Sequence, residues 1–316
     1  MGRRPFAQFL QQYRCILGEG AVIERLRRTE GCELDPWVVN SAFIYDSIKR
    51  SVLEEIYRQY LNIGQEFDLP LLLSTPTWRA SQERIKQAGY AGRDLNGDNF
   101  LFLDGLRQSY GDYADKVTIC GLMSCRGNAY DPTEALSEHA ASQFHAWQAE
   151  KLAASGVDFL LAATLPALSE AIGLARALAT TGLTYLISFV ARPEGTLLDG
   201  TPLHTAIETI DSRVSPQPLA YLVNCTHVSF FSSALVKEGL VSPIVQKRIV
   251  GLLANTAALS PEELDESTTL VEESPETFGK AVATLQDEFG MQILGGCCGT
   301  DQRHIRCLAE ALKPFS

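Results

Sequence analysis

The chain has 316 residues, 46% of them hydrophobic and 21% charged, which suits a globular protein and is long enough for one barrel of about 250 residues with insertions. A formal net charge of -11 argues against a nucleic-acid or anionic-membrane partner. No apolar run approaches the roughly 18 residues of a membrane helix, Arg3-Arg4 is not followed by the apolar stretch of a signal peptide, and the 8 cysteines lack the dense spacing of a secreted disulfide scaffold, so a reducing cytoplasm is the expected compartment.

In chain order, Arg14–Leu17 reads as a first strand leading into Gly18-Glu19-Gly20, and Ala21–Arg28 as the start of a helix. Asp46–Gly64 has helical periodicity, with Asp46 or Ser47 as N-cap. Leu69–Ser74 is a short buried strand, Ser81–Ala88 a helix, and Gly89–Asn99 a loop before a further helix to about Tyr110. Lys116–Gly121 is the third strand, followed by an irregular segment, Met123–Asp131. Pro132–Ser155 reads as one long helix with its proline in the first turn. Gly156–Ala162 turns into a strand, Pro166–Thr180 is helical, and Thr184–Phe189 is a strand. Thr201–Asp211 is a short helix. Ala220–Asn224 and Ile249–Leu253 are strands six and seven. Ala257–Ser274 is a polar, acidic excursion, Ser274–Phe289 a helix, Gln292–Leu294 the eighth strand and Asp301–Leu312 the last helix. Eight strand-like runs alternating with helices predict an α/β fold with a parallel sheet, closed as a single (β/α)8 barrel over one domain, residues 1–316.

In such a barrel the site lies at the C-terminal strand ends. Read in order, these are Glu19, Ser74–Arg79, Gly121–Arg126, Ala163-Thr164, Ser188-Phe189, Asn224–His227, Asn255 and Gly295-Gly296-Cys297-Cys298-Gly299-Thr300. Adjacent thiols rarely close a comfortable disulfide, so Cys297 and Cys298 read first as metal ligands, with a glycine-rich turn holding two small residues as the competing reading. Cys225 ends strand six, and in a closed barrel it can lie beside the doublet. Three thiolates with an open fourth position suit catalytic Zn2+. A thiol entering that position binds as thiolate, the nucleophilic form. His227, two residues after Cys225, is a fourth ligand, a neighbour of the site or an ordinary loop histidine. Cys15, Cys32, Cys120 and Cys307 read as buried small residues.

Asn224-Cys225-Thr226 together with Gly295–Thr300 resembles the zinc signature of the homocysteine S-methyltransferase family, and a weaker resemblance runs from about Ile16 to the C-terminus. It implies a (β/α)8 barrel, zinc on Cys225, Cys297 and Cys298, and methyl transfer to homocysteine or a related thiol, with a small-molecule donor. Thr77-Trp78-Arg79-Ala80-Ser81 is similar to a family segment with an aromatic residue before Ala-Ser. Trp78 is therefore a candidate for the donor side, where an aromatic face stabilises an onium, beside a purely structural reading. Ser188-Phe189 resembles the strand end that lines the family's pocket, and Asn224 belongs to the signature; both are substrate-binding candidates with Glu19.

Two departures stand out. Members usually carry an aspartate followed by two glycines after strand one, where this chain has Gly18-Glu19-Gly20, and a glutamate after strand four, where this chain has Ala163. In the family these acids hold the homocysteine ammonium. Losing one such contact is worth ~1.5–3 kcal/mol, roughly ten- to a hundredfold in affinity. Two other readings remain: a diverged zinc barrel that binds or regulates without methyl transfer, and a metal-free cysteine-pair redox protein. Metal content separates the last from the rest, and turnover of a thiol panel separates the other two. The methyl donor and the oligomeric state are not readable in the sequence.

Overall fold

The computed structural model describes residues 5–260, 263 and 272–312. Eight parallel strands close a barrel in chain order, β1 pairing with both β2 and β8. They are β1 Ile16–Gly18, β2 Leu71–Ser74, β3 Val117–Met123, β4 Phe159–Leu165, β5 Tyr185–Phe189, β6 Ala220–His227, β7 Ile249–Asn255 and β8 Ile293–Gly296.

Side chains alternate across each strand, and this separates two cores. Ile16, Leu72, Cys120, Phe159, Leu161, Leu186, Leu222, Leu253 and Ile293 fill the barrel interior. Leu17, Leu71, Leu73, Ile119, Leu160 and Ile187 face outward into the helical layer. A helix not anticipated from the sequence, Phe6–Gln12, closes the N-terminal end of the barrel. Phe6 stacks on Phe159 with ring centroids 3.7 Å apart, and Phe9 and Leu10 pack in the same cluster. This segment is short, so it carries little periodic signal of its own.

The helical layer departs from expectation at several points. Of the two expected caps, Asp46 is the one that caps helix Ser47–Glu66, accepting from the amides of Ile48 and Lys49, and the helix runs two residues past the expected end at Gly64. The expected 89–99 loop is shorter, because Asp94 caps a helix that already begins at Leu95. The expected long helix from Pro132 is broken. Pro132–Glu134 forms one 3-10 turn, the chain extends at Ala135, and the α-helix Glu138–Ser155 starts behind a fresh cap, Ser137. Helices Val228–Val241 and Ile244–Arg248 fill the interval between β6 and β7, which the sequence reading left unassigned. The polar excursion at 257–274 lies largely outside the described residues. No helix among the described residues is long and apolar enough to cross a membrane.

Candidate active site

The C-terminal strand ends surround a cavity of about 810 Å³. Cys225 reaches it because β6 is irregular: its register against β7 shifts between Asn224 and Thr226, and Cys225 has φ +53. Cys297 and Cys298 follow β8 in a turn fixed from several sides. Cys297 N donates to Ala254 O at 2.7 Å, Cys298 N to Asn255 Oδ1 at 3.1 Å, and Thr300 Oγ1 to Cys297 O at 2.7 Å. The turn needs Gly299, whose φ is +83 and whose absent Cβ would run into the Thr256 hydroxyl. The Gly299 amide donates to the Glu24 carboxylate.

The three sulfurs converge. Cys225 Sγ lies 2.7 Å from Cys297 Sγ and 4.0 Å from Cys298 Sγ, and all three are free thiols within 4.8 Å of one another. They are the one group of this kind among the described residues. Without a cation they share protons. Hydrogen bonds from the Cys297 and Cys298 thiols hold Cys225 well below the ordinary thiol range, and the same bonds to Cys225 push Cys297 and Cys298 up. Keeping all three ionised therefore requires a positive charge among them. Tetrahedral zinc–sulfur bonds of ~2.3 Å set sulfurs roughly 3.8 Å apart. The Cys225–Cys298 spacing already meets this, and the Cys225–Cys297 pair needs to open by about one ångström. The donor set fits a thiophilic metal ion.

Asn224 and Ser188 play connected parts. Asn224 lines the cavity, but its amide is fully engaged: Oδ1 accepts from Thr164 N (2.8 Å) and Ser188 Oγ (2.7 Å), while Nδ2 donates to Thr164 Oγ1 (2.7 Å) and Cys225 Sγ (3.5 Å). Ser188 is wholly buried and is not part of the cavity lining; it stands behind Asn224 rather than in the substrate space. Thr164, at φ +61, interrupts β4 as Cys225 interrupts β6. Asn224 thus braces two left-handed residues on strands that are not neighbours.

Glu19 follows β1 and is buried in the cavity wall. Its Oε2 has no hydrogen-bond partner. Burial raises its pKa to about 8, against weaker lowering by the Ser74 amide and hydroxyl. Ala163 lies on the same wall, with Leu122, Leu161 and Leu253 making the floor apolar. Trp78 is half-buried on the rim, and the Arg79 guanidinium sits 4.2 Å from its ring centroid. Arg79 does not point into open space: Nη1 donates to the carbonyls of Cys125 and Arg126. His227 is turned away from the sulfurs. Its Nδ1 accepts from Ser229 N, capping helix Val228–Val241, and Nε2 lies 3.7 Å from Glu273.

Sequence reading missed Tyr130 and Glu24. Tyr130 packs on the sulfur cluster, with Oη 3.9 Å from Cys298 Sγ. The strand-end rule points to its loop, but the residue lies seven positions beyond the end of β3, too far for strand-end counting to find. Glu24 sits in a short helix after β1 and meets the doublet only through the barrel closure.

Parallel βα units closed into a barrel, with a sulfur cluster and a carboxyl at the C-terminal mouth, define a barrel enzyme built around thiol chemistry. The chain belongs to the homocysteine S-methyltransferase family, which it matches over residues 16–312, and it is a methyltransferase. It is 25% identical over 320 residues to betaine–homocysteine S-methyltransferase 1 of Bos taurus, covering 95% of this chain and 72% of that protein. It is 24% identical over 330 residues to homocysteine S-methyltransferase YbgG of Bacillus subtilis (strain 168), covering 96% of each. The fold is shared with the metallated form of the homocysteine methyltransferase MmuM from Escherichia coli, with TM-score 0.75, 21% identity, and coverage of 99% of this chain and 100% of that one.

Proposed function

We propose that the protein moves a methyl group from a small-molecule donor to a small-molecule thiol, homocysteine or a close relative, bound at Cys225, Cys297 and Cys298 through zinc. The convergence of three free thiols on a cavity at the barrel mouth carries this reading. Bound zinc would keep the acceptor sulfur as a thiolate at neutral pH. The chain's own residues do the rest. Asn224 donates to Cys225 Sγ and fixes its direction. Leu122, Leu161, Ala163 and Leu253 exclude water around the reacting sulfur. Glu19 offers one unpartnered oxygen to a cationic part of the acceptor. Trp78 borders the donor side, and with Arg79 over one face it favours a donor that meets the other face or its edge.

The relatives named for betaine and homocysteine support this choice of substrates by family likeness, and the zinc thiolates suit a reducing compartment such as the cytoplasm. With Ala163 in place of one of the two acids that hold the ammonium in the family, Glu19 is the one of that pair present, so homocysteine is expected to bind weakly and Ala163→Glu to improve its use. The test is turnover of a thiol panel with betaine and S-methylmethionine, using zinc-loaded and chelator-treated protein. Methyl transfer that requires zinc supports the proposal. Metal-free protein as active as the loaded form refutes the role of the sulfur cluster.

A further inference from the structure

The connection from β3 to helix Glu138–Ser155 carries Tyr130 to the sulfur cluster. Asn128 N donates to Glu134 Oε2 at 2.6 Å, Tyr130 N to Asn128 Oδ1 at 3.0 Å, and Thr133 N to Asp131 Oδ1 at 2.9 Å. These bonds shape the tip without tying it to the barrel. At the roots, one residue of the next βα unit holds both ends of the connection. Glu170, in the first turn of helix Leu168–Ala179, is fully buried. Its Oε1 accepts from Arg126 N at 2.7 Å and pairs with His145 Nε2 at 2.9 Å, and its Oε2 accepts from Leu136 N at 3.1 Å. Ser169 Oγ adds a bond to Leu136 O at 2.9 Å.

A carboxylate in a dry interior is costly unless donors meet it. Burial pushes the Glu170 pKa up, but the bonds from His145 and the two loop amides outweigh it and leave the carboxyl below its ordinary range. Glu170 does not line the cavity, so its charge is spent on the loop. The near root has further ties: Arg79 Nη1 donates to the carbonyls of Cys125 and Arg126, Arg84 Nη2 to Arg126 O at 3.2 Å, and the Arg126 guanidinium pairs with Glu83. The far root at Leu136 rests on Glu170 and Ser169.

We propose that Glu170 is a positioning residue that clamps both roots of the 124–137 connection and so sets Tyr130 over the three cysteines. This deepens the reading of the cysteines as the reacting centre, and its test needs no turnover. Glu170→Gln keeps the shape, but the amide accepts on one atom and turns an N–H toward a backbone donor. Amide exchange in 124–137 should rise about tenfold, the loss of one buried hydrogen bond, while β1–β8 keep their protection. Iodoacetamide labelling of Cys298 in the apo protein, read by peptide mass against Cys307, should rise with it. Tyr130→Ala should raise Cys298 labelling without loosening the roots. Glu170→Gln/Tyr130→Ala should then label no faster than Tyr130→Ala, because the two residues act through one contact. Additive labelling, unchanged exchange at 124–137, or exchange spread through the whole barrel would overturn the inference. If Glu170→Gln does not fold, Glu170→Asp keeps the charge on a side chain one methylene too short to meet Arg126 N and Leu136 N together: faster exchange confined to 124–137 supports the clamp, and no change refutes it. A protein that shows these effects but transfers no methyl group would lose the proposed reaction and keep the clamp.

Discussion

Glu19 couples the site to pH with a sign that can be fixed in advance. Its carboxyl is raised from about 4.5 to about 8, chiefly by burial. Below the unfolded value both states are protonated and nothing is lost. Between the two values the unfolded chain ionises while the folded chain holds its proton, so folded stability falls as pH rises. At 1.36 kcal/mol per pH unit the loss reaches about 3 kcal/mol at pH 7 and levels off near about 5 kcal/mol above pH 8. Glu19→Gln presents a similar neutral shape at every pH. The metal-free variant should therefore match the wild type at pH 4.5 and exceed it by about 5 kcal/mol at pH 9. Urea unfolding at pH 4.5, 7 and 9 measures this, and titration of the cysteines cancels in the difference. A wild-type-minus-variant difference that stays constant with pH would show that Glu19 is ionised in the folded apo protein and that its free oxygen is solvated. A cationic acceptor facing Oε2 reverses the preference for the proton, so its binding near pH 7 should release one, which calorimetry in two buffers would detect.

Zinc should bind at about one equivalent per chain; Cys297→Ala/Cys298→Ala should abolish it, and His227→Ala, which removes a helix cap and a contact with Glu273, should retain it, as metal analysis after dialysis would show. Asn224→Ala leaves the buried Thr164 amide without its acceptor and frees Cys225, so it should cost ~2–4 kcal/mol in denaturant unfolding and lower zinc affinity. Phe6→Ala opens the stacked contact with Phe159 at the closed end of the barrel and should cost ~3–5 kcal/mol while leaving zinc content unchanged.

The barrel was legible because its signal is local. Buried parallel strands are short apolar runs, helices repeat every 3.6 residues, and the two alternate. The cysteines were legible because glycines and a strand end made their spacing unusual. What the sequence hid depends on partners far along the chain. Ser188 and Asn224 read alike, as polar residues at strand ends, yet one lines the cavity and the other is buried behind it. Register shifts in β4 and β6 decide which side chain turns inward, and no single-strand pattern encodes them. The break after Pro132 was hidden for the same reason. Proline in a first turn is consistent with a long helix, but Leu136 gives its amide to Glu170 and Ser137 caps the true start.

Those register shifts also have an energetic consequence at the sulfur cluster. Cys225 holds φ +53 and Thr164 φ +61, a region that costs a residue with a Cβ ~1–2 kcal/mol. Glycine avoids that strain but loses ~0.5–1 kcal/mol of chain entropy relative to alanine. At an ordinary strand position alanine would therefore be the more stable replacement, and at these two positions the order should invert. Cys225→Gly and Cys225→Ala both remove the sulfur, so they share the loss of metal and most of the lost packing. Their difference isolates the backbone. In the metal-free protein Cys225→Gly should be the more stable by ~0.5–1 kcal/mol, measured by urea unfolding, with Thr164→Gly against Thr164→Ala behaving alike. If alanine proves the more stable at 225, the residue does not sit in the left-handed region. The thiol would then have to be aimed at its neighbours by side-chain rotation rather than by the interruption of β6. If glycine wins, the strand gives up regular geometry at the position where the chain places a sulfur, and Asn224, bonded to both strained residues, keeps it from relaxing.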